Sequence, residues 1–153
     1  MKINFNQSII PLLVTSIGLS PFLSIKADTS PDITWTKLLG TSTQDTSQGV
    51  ASSSDGSVYI TGFTYGDIDG ETNAGSPDVF VTKYSSDGTK IWTKLLGSST
   101  VDASRGVAAA TDGSVFITGY TYGDFDGETN GGSPDIFITK YSSDGTKVWT
   151  KLL

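Results

Sequence analysis

The stretch Gly49-Val50-Ala51-Ser52-Ser53-Ser54-Asp55-Gly56-Ser57-Val58-Tyr59-Ile60-Thr61-Gly62 decides the fold. It returns as Gly106-Val107-Ala108-Ala109-Ala110-Thr111-Asp112-Gly113-Ser114-Val115-Phe116-Ile117-Thr118-Gly119. Each copy is a short strand-forming run, an Asp-Gly pair, and a second run rich in β-branched and aromatic residues. Gly accepts positive φ at no steric cost, so Asp55-Gly56 and Asp112-Gly113 read as hairpin turns. Outward from this point, residues 35–91 and 92–148 are two copies of one 57-residue unit, with no insertion or deletion. Trp35, Trp92 and Trp149 mark the same place in three successive passes. A fixed period of this length predicts a repeat architecture whose units cannot bury their apolar surface alone.

Each unit reads as four short strands. In the first copy they are 49–53, 57–64, 78–84 and 89–96, with a Gly- and Asp-rich loop from Gly66 to Pro77 and a second hairpin turn at Ser85-Ser86-Asp87-Gly88. The second copy places its turns at Asp112-Gly113 and Asp144-Gly145. No helical period appears after residue 32. The strands are apolar on both faces: Val79 and Val81 oppose Phe80 and Tyr84, and Ile91 and Leu95 oppose Trp92 and Leu96. A sheet with one face in water alternates more cleanly. Two apolar faces mean that each sheet lies between neighbours, as the blades of a β-propeller do. The fold class is therefore all-β, with antiparallel four-stranded blades. The substitutions between copies preserve this, as Tyr59 becomes Phe116, Val79 becomes Ile136, Val81 becomes Ile138 and Ile91 becomes Val148.

A long motif recurs in both copies. It runs Gly-Val-Ala-x-x-x-Asp-Gly-Ser-Val-(Tyr/Phe)-Ile-Thr-Gly, then Asp-Gly-Glu-Thr-Asn, then Asp-(Val/Ile)-Phe-(Val/Ile)-Thr-Lys-Tyr-Ser-Ser-Asp-Gly-Thr-Lys-(Ile/Val)-Trp-Thr-Lys-Leu-Leu. It resembles the bacterial β-propeller repeat called the SBBP repeat, over essentially all of residues 33–153. The resemblance implies a bladed, secreted or surface-exposed protein with no single assigned chemistry. The expected layout is a signal peptide at 1–27, a polar leader at 28–48 carrying the outer strand of a preceding blade at 33–40, blade one at 49–97, a linker at 98–105 and blade two at 106–153. A closed propeller has typically 4–8 blades. Two blades and a strand point to a fragment of a longer protein, or to a subunit that closes a ring by oligomerising.

Composition narrows the chemistry. Lys2 and Lys26 are the only charges in the first 27 residues, so 8 of the 10 basic groups and all 16 acidic groups lie beyond them. That surface repels phosphates and has no Lys/Arg stripe, which argues against nucleic-acid binding. With no Cys there is no disulfide and no thiol nucleophile. With no His, a Ser-His-Asp triad cannot form within this chain. The N-terminus has the three-part layout of a secretory signal: Lys2, an interrupted apolar stretch from Ile9 to Ile25, and Ala27 before the polar Asp28-Thr29-Ser30. The expected location is secreted, periplasmic or at the cell surface, with no membrane span left after cleavage.

The sharpest local signal is Asp67-Ile68-Asp69-Gly70-Glu71-Thr72-Asn73, closed by Asp78, and its twin Asp124-Phe125-Asp126-Gly127-Glu128-Thr129-Asn130, closed by Asp135. Side-chain oxygens at relative positions 1, 3, 5, 7 and 12 resemble a calcium loop. The candidate calcium ligands are Asp67, Asp69, Glu71, Asn73 and Asp78, and Asp124, Asp126, Glu128, Asn130 and Asp135. The fit departs from the pattern in having Gly at position 4 and Asp at position 12. The competing reading is a turn-rich connection whose Asp and Asn side chains bond to nearby amides without metal. A third, a glycosidase carboxylate pair, needs a raised pKa and a cleft. The tryptophans read as inter-blade packing rather than a sugar platform. Lys83 and Lys140 read as solvated strand ends.

The expected function is a non-catalytic scaffold or interaction module, with calcium as its one candidate cofactor. The alternative is a segment of a larger secreted propeller hydrolase or lyase whose catalytic residues lie elsewhere. Expected partners are further blades or a second copy; a protein or carbohydrate ligand is not specified.

Overall fold

The computed structural model describes residues 34–75, 77–132 and 134–153. The signal peptide expected at 1–27 lies outside the described residues. The described residues form eight strands: β1 (Asp45–Ser52), β2 (Val58–Thr64), β3 (Asp78–Tyr84), β4 (Lys90–Leu96), β5 (Asp102–Ala109), β6 (Val115–Thr121), β7 (Asp135–Tyr141) and β8 (Lys147–Leu152). They make two antiparallel four-stranded sheets in the sequential orders β1-β2-β3-β4 and β5-β6-β7-β8. These are the two expected blades, and the sheets are open rather than closed on one another.

Local chemistry fixes each meander. At the first turn Asp55 accepts from the Ser57 amide at 2.9 Å while Gly56 takes φ 80°. Asp87 and Asp144 repeat this with the Thr89 and Thr146 amides. Serine hydroxyls and these amides hold the carboxyls of Asp55, Asp87 and Asp144 down at about 2. The register then follows: Tyr59 opposes Lys83, Thr61 opposes Val81 and Phe63 opposes Val79, so the period of two puts all six on one face.

Two boundaries differ from expectation. The first strand of each sheet begins four residues early, at Asp45 and Asp102, because Asp45 and Thr46 pair with Thr64 and Phe63 beyond a bulge at Ser47/Gly49. The bulge breaks the alternation that sequence reading relies on. The segment between the sheets is therefore 97–101 and not 98–105. The leading strand expected at 33–40 is not a paired strand across 34–40. Among the described residues, no further strand lies beside it to pair with.

The core lies between the sheets. Tyr59, Val79, Val81 and Leu96 of the first face Val115, Ile117, Phe137 and Tyr141 of the second. Phe125 stacks on Phe137 at 4.7 Å and is fully buried. Alternate residues of β7 meet opposite environments: Phe137 is 0% exposed and Ile136 is 54% exposed. Phe137→Ala is expected to cost about 3–5 kcal/mol in urea unfolding, as aromatic truncations in packed cores do. Ile136→Ala, one residue away on the outward face, is expected to stay within about 0.5 kcal/mol.

Candidate functional site

The acidic loop folds as a tight hairpin. Asp69 and Gly70 both have positive φ, 53° and 85°, and Ile68 and Glu71 exchange both backbone hydrogen bonds across them. That is the mirror-image turn an Asp-Gly pair favours. Asp126 and Gly127 repeat it at 56° and 83°. The Gly at position 4, anomalous for a calcium loop, is the second central residue of this turn.

The turn sends the candidate ligands to separate partners. Lys90 donates to Asp69, and Lys94 donates to Glu71 at 2.8 Å. Lys147 and Lys151 do the same for Asp126 and Glu128. Asp67 accepts from the Asn73 amide at 2.8 Å, and Asp124 from the Asn130 amide at 2.9 Å. Asn73 and Asn130 turn their own side-chain amides onto the carbonyls of Thr64 and Thr121. Asp78 and Asp135 accept from the amides of Ala74 and Gly131, each at 2.6 Å. Among the described residues, no three Asp, Glu, His or Cys side chains converge as a cation site needs. Partial burial opposes the charge of Asp69, but the bonds from Lys90 and Thr93 outweigh it and hold its carboxyl below the ordinary range.

The seam between the sheets is the more elaborate site, and four of its contacts cross from one sheet to the other through polar groups. The Trp92 indole N–H donates to Ser143 O at 3.1 Å, and the ring lies 6.2 Å from that of Tyr141. Lys83 donates to the same Ser143 carbonyl at 3.1 Å while its Nζ sits over the Tyr59 ring. Tyr59 donates its hydroxyl to Gly113 O at 2.6 Å. Ser104 donates to Gly62 O at 3.1 Å. Lys83 is thus not a solvated strand end: it is 8% exposed, because the second sheet's turn closes over it. Its sequence context of strand-end polarity hid this, since the covering turn lies 60 residues away.

At one end of the seam two carboxylates are buried together. Asp78 is 1% exposed and Asp102 is 0% exposed, and one oxygen of each, Oδ1, has no hydrogen-bond partner. The other oxygen of Asp102 accepts from the Ser98 amide and hydroxyl. Burial pushes the Asp78 carboxyl above its ordinary value, and the neighbouring Asp102 charge adds to this against the opposing Ala74 amide. Burial also raises Asp102, against the Thr121 hydroxyl and the Ser98 amide. Asp45 is its counterpart in the first sheet. There the burial penalty is outweighed by the Thr41 amide and Thr64 hydroxyl, and the carboxyl sits below its ordinary value. Packing one sheet on the next is what separates the two. Asp102 was not among the sequence candidates. Its one available signal was recurrence at the Asp45 position.

Residues 34–69 and 91–126 each match the SBBP family, described as a beta-propeller repeat. The chain thus carries two matches to the SBBP repeat. Each matched segment opens one residue before a tryptophan, Trp35 or Trp92, and ends on the Asp of an acidic hairpin's Asp-Gly turn, Asp69 or Asp126. No curated protein matches the chain.

The seam carboxyls set a pH dependence. A carboxyl with a raised folded-state pKa contributes stability when protonated, and that contribution is lost as pH rises through the raised value. The melting temperature is expected to fall from the ordinary carboxylate range toward neutral pH. Asp78→Asn keeps an acceptor for Ala74 and can donate toward Asp102, so it should raise the neutral-pH melting temperature and flatten the slope. The turn aspartates titrate near 2 and act only at the acid end of such a scan.

Proposed function

We propose that this SBBP-repeat chain is a non-catalytic, exported interaction module whose working surface is the outward face of its second sheet. One observation carries the reading: that face repeats, residue for residue, the face the first sheet buries in the seam. Phe116, Ile136, Ile138 and Trp149 stand where Tyr59, Val79, Val81 and Trp92 stand. Val79 is 1% exposed and Ile136 is 54% exposed. Gly106, Val107, Ala108, Phe116, Ile117, Thr118 and Ile138 line a shallow, almost wholly apolar depression on it. A contiguous apolar patch rimmed by polar residues marks an interaction surface.

Export is supported by the charged start, apolar stretch and small residue at Ala27. The proposed location is secreted, periplasmic or at the cell surface. Absence of a catalytic role is supported by the lack of His and Cys and by carboxylates that recur identically in each unit. Calcium, the candidate cofactor, is proposed only as a stabiliser of the acidic hairpins, where it competes with Lys90 and Lys94 for Asp69 and Glu71. Millimolar calcium should then raise the melting temperature without creating activity, and an unchanged melt removes the calcium part.

Ile136→Lys tests the surface. The wild-type chain is expected to associate as its concentration rises, read by sedimentation velocity. The variant is expected to remain monomeric with the wild-type melting temperature. Association that persists undiminished in the variant overturns the reading.

A further inference from the structure

A plug-and-socket contact occurs twice, once in the seam and once on the first sheet. The socket is a hairpin turn with three parts: a tyrosine ring, a serine carbonyl and a glycine. In the second sheet these are Tyr141, Ser143 and Gly145, filled by Trp92. In the first sheet they are Tyr84, Ser86 and Gly88, filled by Trp35. The two fillings agree closely. Each indole N–H donates to the serine carbonyl at 3.1 Å, and the ring separations are 6.0 Å and 6.2 Å. The glycine is required: a Cβ at Gly88 would lie 2.6 Å from Trp35 Cγ, and at Gly145 it would lie 2.9 Å from Trp92 Cδ2. The glycines also sit at φ 80° and 86°, which disfavours any other residue.

The third plug, Trp149, is already set. It lies 6.1 Å from Phe116 at an interplanar angle of 54°, and Trp92 lies 5.9 Å from Tyr59 at 54°. Lys140 stands over the Phe116 ring as Lys83 stands over Tyr59. Yet Trp149 is 37% exposed on the outward face. The plugs are also held unequally. Trp92 and Trp149 lie on β4 and β8, each paired along a neighbouring strand. Trp35 lies in a segment with no strand pairing, followed by Leu38 at 99% exposure. Beside it, Lys37, Leu38, Leu39, Asp45, Ile60 and Phe80 line an open depression of about 310 Å³. In the second sheet, the counterparts of Ile60 and Phe80 are Ile117 and Phe137, both fully buried against Tyr59, Val79 and Val81.

We propose that Trp35 is a displaceable plug, and that a second copy of this chain binds by inserting Trp149 into the Tyr84-Ser86-Gly88 socket in its place. The occupant follows from the seam already described: the outward face of one copy meets, in the other, the same turn and the same apolar positions that the first sheet meets in the second. Trp35 brings one side chain to the socket. Trp149 brings a paired sheet whose Phe116, Ile136 and Ile138 cover Ile60 and Phe80. The contact is head-to-tail, so it propagates, and two copies assemble four sheets and three assemble six, within the range of propeller rings. One seam bond is missing in such a contact. Tyr59 donates to Gly113 O, whereas Phe116 has no hydroxyl to offer the equivalent Gly56 carbonyl. The copy substitution weakens association relative to the internal seam.

This inference rests on the outward face being the working surface, and sedimentation velocity on the full chain separates the two. Trp35→Ala empties the socket and should lower the concentration for half-association at least fivefold. Trp149→Ala removes the incoming plug and should raise it at least tenfold. Phe116→Tyr adds the missing donor and should strengthen association about fivefold, the effect of one net hydrogen bond. All three sites are at an unpaired segment or an outward face, and unchanged melting of the monomer confirms that each variant folds. Association that Ile136→Lys abolishes but that Trp35→Ala and Trp149→Ala leave unchanged overturns the plug exchange and leaves the surface intact. Wild-type and Trp35→Ala chains that both stay monomeric also overturn it.

Discussion

Everything in this chain follows from strands that are apolar on both faces. A four-stranded meander of this kind gains by covering both of its sides. The first sheet has the second on one side and the 34–40 segment across part of the other. Among the described residues, the second sheet has a cover, the first sheet, on one side only. The contrast within β7, Phe137 fully buried and Ile136 more than half exposed, expresses that asymmetry at adjacent residues. The repeat therefore defines a directional unit with one face that inserts and one that receives.

The two faces are kept distinct by different chemistry. The inserting face carries Tyr59, Lys83 and Trp92, three long side chains with polar tips. The receiving face answers with carbonyl oxygens of turns, at Gly113 and Ser143, which have lone pairs to spare. Backbone acceptors at turns do not depend on side-chain identity, so the receiving side tolerates substitution, while the inserting side is read through its tips. Apolar contact drives the association and these tips fix its register. Sheet on sheet, a slip of one residue would move Trp92 off its glycine and onto a Cβ.

Much of the architecture was legible in the sequence because it depends on local signals: Asp-Gly turns, strands of β-branched and aromatic residues, and a fixed period marked by Trp35, Trp92 and Trp149. The misreadings have physical causes. The bulge at Ser47/Gly49 broke alternation and hid four residues of β1. Alternate residues of Asp67–Asn73 carry oxygens, a pattern that suits a ligand series and a turn alike. Asp69-Gly70 is an Asp-Gly turn like the others in sequence, but both of its residues take positive φ, and it is flanked by acids whose partners, Lys90 and Lys94, lie on a strand more than 20 residues away. Lys83 and Asp102 were illegible for the same reason. Their roles belong to the packing of one unit on the next, and neither neighbour is close in sequence.

The buried carboxylates show what that packing demands. Asp45 and Asp102 begin equivalent strands and take hydrogen bonds from equivalent amides, those of Thr41 and Ser98. The bond tightens the bend that leads each chain segment into the first strand of its sheet, and it is favourable wherever the carboxylate keeps some water. Covering the strand with another sheet removes the water and brings in Asp78, so the same side chain that shapes the entry now opposes the contact. A carboxylate serves a single sheet well and a stacked pair badly. Its presence at both positions means that the local bend takes precedence over seam stability. The conflict is concentrated at one end of the seam, while at the other the Trp92 and Lys83 bonds to Ser143 are satisfied. The seam is therefore unevenly held along its length, tight at the turn that grips the indole and electrostatically opposed where β3 and β5 begin. That same end is tied by residues 97–101, which join β4 to β5, and by the Asp102 amide donating to Pro77 O at 2.9 Å, so the opposed carboxylates are held together by the connection itself.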